Sequence, residues 1–284
     1  MPPEVNVPQI IAGLISSVIL ISGIIIDVII LTSPARKNNR ARQLARLRRR
    51  PLQDYDVIYL LLVLAIYFTI LMLTMRILPV CGITLSDTAN RIFVLTTTLA
   101  MHITAFLTID KLRRRHGASY SDCFGSNRIS VSKSILLGAA YYLAVIPPLI
   151  IVTLAFNSIL QKLNIPLEVQ SVLQDFASPD EPAAIRIGLF ALAVTVGPAM
   201  EELVFRGMLL PVACRFTPPT AAIIITSLLF SMIHGNIQAI MPLTILAVGL
   251  SMAYIKSGTI LVPIVMHAIF NIMNLLFYSL TAGS

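Results

Sequence analysis

Charge is scarce in this chain. Asp, Glu, Lys and Arg make up 12% of its 284 residues, 57% are hydrophobic, and the mean hydropathy is +0.86. That balance argues against a soluble domain and for a polytopic helical membrane protein, all-α, with length setting a span count rather than a domain count. Cysteine is scarce too. Cys81, Cys123 and Cys214 are scattered without a Cys-x-x-Cys, which argues against a disulfide framework or a zinc site. No Gly-x-Ser-Gly loop supplies a serine nucleophile, no His-Glu-x-x-His supplies zinc ligands, and the apolar spans offer no pair of aspartates. Repeats and low-complexity tracts are missing. Aromatic interleaving for base stacking is absent, so the net charge of +8 reads as membrane topology and no nucleic-acid partner is expected.

The apolar runs predict about eight spans: 8–31, 57–78, 91–109, 131–156, 185–215, 221–234, 239–255 and 260–280. The first carries Glu4 and no basic residue on its N-terminal flank, and reads as an uncleaved anchor. Asp27 near its end reads as an interfacial carboxylate. Arg36, Lys37, Arg40, Arg42, Arg46, Arg48, Arg49 and Arg50 follow, eight basic residues in fifteen. Lys111, Arg113, Arg114 and Arg115 form a second cluster two spans later. Both loops, 33–56 and 110–130, are expected in the cytoplasm of a multi-pass protein of the plasma (inner) membrane. The first is also expected to meet anionic lipid head groups. His102 reads as a helix-packing histidine, Pro147-Pro148 as a kink, and 167–176 as a short amphipathic piece in a polar, non-cytoplasmic loop.

The polar residues of the last four spans carry the chemistry. Pro198-Ala199-Met200-Glu201-Glu202-Leu203-Val204-Phe205-Arg206-Gly207 lies inside a run long enough to cross a bilayer. A charge at that depth costs roughly 2.5–3.5 kcal/mol, so an unpaired triplet would be heavily penalised. Glu202 and Arg206 are one helical turn apart and can pair, whereas Glu201 points about 100° away with no local partner. Glu201 is therefore the expected working group, with Glu202 and Arg206 its support. Phe230 and His234 share one i,i+4 spacing, His267 and Asn271 another. At about 1.5 Å of rise per residue, Glu201, His234, His267 and Asn271 lie ~10–21 Å from the cytoplasmic ends of their helices, so they can meet near mid-membrane. A carboxylate and an imidazole can orient and deprotonate one water. A His and an Asn can stabilise an oxyanion. The sum is non-covalent peptide hydrolysis inside the membrane, without metal or cofactor.

Glu-Glu-x-x-x-Arg, Phe-x-x-x-His and His-x-x-x-Asn, in order on successive apolar segments, resemble the CAAX prenyl endopeptidase and bacteriocin-processing family of intramembrane glutamic proteases, of the Ras-converting endopeptidase type. The resemblance covers about residues 185–274. It implies that Glu201 activates water, His234 helps position it, His267 and Asn271 form the oxyanion site, Glu202 and Arg206 support, and Phe230 lines the site. The substrate it implies is a membrane-associated peptide or protein, as in the trimming of prenylated CaaX tails. Residues 1–184 are then N-terminal membrane helices with basic cytoplasmic loops, and 185–280 the protease core. Two other readings use the same residues: a metalloprotease with Glu201, His234 and His267 as ligands, and a non-catalytic immunity or scaffolding protein or small transporter with a polar midplane site.

Overall fold

A computed structural model describes residues 17–28, 36–166 and 182–282. Ten helices are drawn from them: α1 (Ser17–Val28), α2 (Arg36–Arg48), α3 (Asp54–Val80), α4 (Asp87–Arg115), α5 (Tyr120–Phe124), α6 (Val131–Lys162), α7 (Ala183–Phe216), α8 (Pro219–Met232), α9 (Ile237–Ser257) and α10 (Leu261–Ala282). No strand occurs among the described residues. Six helices (α3, α4, α6, α7, α9 and α10) are long and apolar enough to cross a membrane.

Two expected spans remain. Only residues 17–28 of the first lie within the described structure. In α8, fourteen residues end at Met232, followed by a turn in which Gly235 takes φ 66°. At about 1.5 Å per residue α8 rises only ~21 Å, less than the ~30 Å hydrocarbon core. The expected piece at 167–176 falls outside the described residues. The two prolines at 147 and 148 lie inside one continuous helix, α6. Pro147 packs against Gly23 of α1, where a Cβ would come within 2.9 Å of the proline ring and 2.3 Å of the Leu143 carbonyl.

Sequence signals set the element ends. Ser86 and Ser130 cap α4 and α6 through their hydroxyls, and Asn236 caps α9. Gly258, left-handed at φ 73°, ends α9. The ends of α2, α7 and α9 gather at one pole. There Arg215 donates to the carbonyls of Arg48, Arg50 and Leu52 and to Gln53 Oε1 at 2.8–3.1 Å, and Arg48 Nε donates to the Cys214 carbonyl at 2.7 Å. The main apolar core joins both halves of the chain: Leu60, Ile109 and Phe124 pack with Met208, Leu210 and Tyr254. Large apolar side chains cover the outer faces of α3 and α4, as lipid contact requires.

Candidate active site

The motif-bearing helix α7 is not a regular α-helix. Its turns widen to π geometry at Leu192–Val196 and again at Leu203–Leu209, on either side of Glu201 and Glu202. Pro198 explains where the first widening falls. Proline has no N–H to donate and its ring crowds the preceding turn. The Gly197 N–H reaches back to the Leu192 carbonyl, one residue further than in an α-helix. In an α-helix Gly197 would serve the Ala193 carbonyl; in a π-turn residue 198 would, but it is proline. The Ala193 carbonyl is thus left without an intrahelical donor. Asn271 Nδ2 of α10 supplies one, at 2.7 Å.

The polar cluster centres on Glu202, fully buried at 0% exposure. Its Oε1 accepts from Arg206 Nη1 at 2.8 Å and lies 2.9 Å from His267 Nδ1. Arg206 Nη2 donates to the Ala247 carbonyl of α9 at 3.1 Å, and the guanidinium stacks 4.6 Å from the Phe230 ring centroid. One carboxylate therefore joins α7 to α10, and its arginine joins α7 to α8 and α9. With Nδ1–H donated to Glu202, the other imidazole nitrogen of His267 points at Glu201: Nε2 lies 3.8 Å from Glu201 Oε2. Glu201 Oε2 is buried and makes no hydrogen bond, although the side chain as a whole is 27% exposed. Glu202 Oε2 is likewise buried and without a hydrogen bond, so what separates the two glutamates is the cation: Arg206 donates to Glu202 Oε1 and makes no hydrogen bond to Glu201.

Phe230, fully buried, is the hub between the remaining groups. Its ring meets His267 at 5.7 Å, His234 at 4.9 Å and Phe205 at 5.2 Å between centroids. His234 follows the end of α8 and is exposed; its Nδ1 pairs with the Phe230 carbonyl at 2.7 Å, which leaves Nε2 outward. The structure thus brings Glu201, Glu202, Arg206, Phe230 and His267 into direct contact. It attaches His234 through Phe230 and Asn271 through the widened turn. His267 and Asn271 share a helix face but serve different partners: one bonds a carboxylate, the other a backbone carbonyl.

One neighbour went unassigned in the motifs. His102 of α4, expected as packing, is buried and within electrostatic range of Glu201. Its only sequence signal was an imidazole in a span otherwise free of ionisable groups between Arg91 and Asp110. Among the described residues, no three His, Cys, Asp or Glu side chains converge as a ligand set.

The family model described as type II CAAX prenyl endopeptidase, Rce1-like, matches residues 183–273, from the start of α7 into α10. The match covers the segment that holds all three motifs, and that segment is similar to a family of membrane proteases. No curated protein and no solved structure matches the chain.

Proposed function

We propose that this chain is an intramembrane glutamate-type endopeptidase that hydrolyses a peptide bond in a membrane-associated protein or peptide, a CaaX-type tail or a related one. One observation carries the reading: Glu201 Oε2, buried and unpartnered, 3.8 Å from His267 Nε2 and next to a carboxylate already neutralised by arginine. A carboxylate spent on structure cannot act as a base; Glu201 is the one left to do so. It takes a proton from water, and the hydroxide attacks the scissile carbonyl carbon. His234 Nε2 orients that water. The tetrahedral oxyanion accepts from His267 Nε2, when that nitrogen carries a proton, and from the second N–H of Asn271. The proton on Glu201 passes to the leaving nitrogen, the C–N bond breaks, and the carboxylate is restored.

Residues 185–280 act as the protease core in this reading, and residues 1–184 as membrane helices that brace it from its basic pole. The family match to a membrane protease supports a peptidase, and the apolar helices support an integral membrane protein.

The test is cleavage of tagged membrane peptides, with and without a prenyl group, by purified protein. Glu201→Gln is expected to lose activity by about 10²–10⁴-fold, the usual weight of a general base, and His234→Ala to lose it in part. Undiminished turnover in Glu201→Gln would sink the glutamate mechanism, whereas no cleavage by wild type together with a cellular phenotype preserved in folded Glu201→Gln would leave a non-catalytic peptide binder or transporter. Loss of wild-type activity in strong chelator would replace it with the metal-dependent version.

A further inference from the structure

At the basic pole, the end of α9 and the loop after α5 line a cavity against α2. Its volume is about 540 Å³. Arg46, Arg50, Arg128 and Lys256 line it, Tyr254 lies among them, and no carboxylate does among the described residues. Two acids lie within electrostatic range of this lining: Asp122, which accepts from the Ser119 N–H and hydroxyl at 2.9 and 2.6 Å, is near Arg50, and Asp27 of α1 is near Lys256.

We propose that this cavity binds a phosphate-bearing anion. Two buried donors there are unspent. Arg50 is 4% exposed and donates through Nη1 to the Asp122 carbonyl at 3.1 Å and through Nη2 to the Gly258 carbonyl at 3.2 Å, but its Nε has no partner. Tyr254 is 0% exposed and its hydroxyl has no partner. Other polar groups at the rim are committed: Gln43 Nε2 to the Lys256 carbonyl at 2.7 Å, Ser257 Oγ to the Thr259 carbonyl at 3.2 Å. Buried polar atoms are almost always satisfied, so two orphans on side chains that line one cavity point to a missing acceptor beside it. What they lack is an acceptor.

The charge requires the same ligand. Arg128 is exposed at the rim, yet its guanidinium is held below its ordinary value, first by burial of part of the group and then by Arg50 and Arg46. Cations crowded this closely repel one another until an anion enters. Donors approach from α2, α9 and the α5–α6 loop, around a volume and not in one plane. That distribution suits the tetrahedral oxygens of phosphate better than a flat carboxylate. The cavity is also where the basic loop would meet an anionic leaflet, so the phosphate can belong to a lipid head group or to a soluble anion.

The full chain in phosphatidylcholine nanodiscs provides the test, with native mass spectrometry and thermal unfolding as readouts. Two variants probe the cavity: Arg128→Gln at the exposed rim, and Tyr254→Phe, which removes only a hydroxyl that has no partner. Doping the discs with phosphatidylglycerol should give retained adducts of that lipid on wild type, reduced about tenfold in each variant. Retention without any effect of inorganic phosphate identifies a lipid head group. A rise in unfolding temperature with inorganic phosphate in pure phosphatidylcholine, lost in the variants, identifies a soluble anion. Either supports the site. Equal retention of both lipids with no phosphate effect, or retention and phosphate response unchanged in both variants, overturns it.

Discussion

Adjacent glutamates with different neighbours make different losses. Glu202→Gln removes the carboxylate that Arg206, 2% exposed, and His267 both face. Breaking a buried pair leaves an uncompensated charge, a cost of about 3–5 kcal/mol. The folded yield of Glu202→Gln in detergent should fall and its thermal unfolding midpoint should drop well below that of wild type. Glu201→Gln strands no cation, because Oε2 makes no hydrogen bond to lose. It should unfold near the wild-type temperature while losing turnover. Equal destabilisation by the two would contradict the division of labour between them. The Glu202–Arg206 pair was legible in the sequence, because the two stand one turn apart while Glu201 does not face the arginine. The tie from Glu202 to His267 was not legible. It depends on how α10 leans on α7, a tertiary contact between residues sixty-five apart.

The widened turns of α7 belong to the scale of the element, and they change what the spacing of α10 means. The i,i+4 placement of His267 and Asn271 suggested one shared target. The widening at Leu192–Val196 instead strips the Ala193 carbonyl of its helical donors, and Asn271 answers it. Pro198 was visible in the sequence, and the vacancy it creates could have been inferred from its missing N–H, but not which side chain would fill it. Asn271→Ala should cost about 1–3 kcal/mol through the orphaned carbonyl. Pro198→Ala restores an N–H within reach of that carbonyl, so the double variant should recover part of the lost thermal stability. Strict additivity of the two substitutions would refute the link between them. The small helix α5 offers a pH test. Asp122 is held below the ordinary carboxylate value, chiefly by the Ser119 hydroxyl and next by the Ser119 N–H. A depressed folded value stabilises the fold above the ordinary carboxylate range, and that contribution is lost as pH falls through the folded value. Hydrogen-exchange protection of α5 should therefore weaken on acidification below that range. In Asp122→Ala the protection should be low and flat with pH; an unchanged acid-dependent loss would point to another group.

At the scale of the whole molecule, apolar run length located the six long helices, with ends up to six residues off in α4 and α6, because a bilayer leaves few alternatives to a long helix. Run length did not distinguish a crossing from a helix that stops part-way, so α8 looked like a span although its fourteen residues are too few. The basic clusters carry the expectation for the direction of insertion, which helix lengths leave open. Two long helices, α3 and α4, separate the clusters in the chain, yet Arg50 hydrogen-bonds the Asp122 carbonyl, so the loops that hold them meet at one pole. Helix α3 leads away from that pole; its 27 residues rise ~40 Å, more than the ~30 Å core, and end beside Cys81. The cysteines make this orientation measurable without a cysteine-free background. Cys81 is exposed, whereas Cys123 and Cys214 are buried, and burial pushes the Cys123 thiol up to about 11. Only a thiolate reacts readily, so those two should stay silent. Asn127→Cys, on the exposed turn after α5, adds a reporter at the basic pole. If positive charge holds that pole in the cytoplasm, an impermeant maleimide should label Cys81 in intact cells and leave the introduced cysteine untouched until the membrane is opened. The reverse pattern would place the basic loops outside. Labelling of both from the same side would show that α3 does not cross.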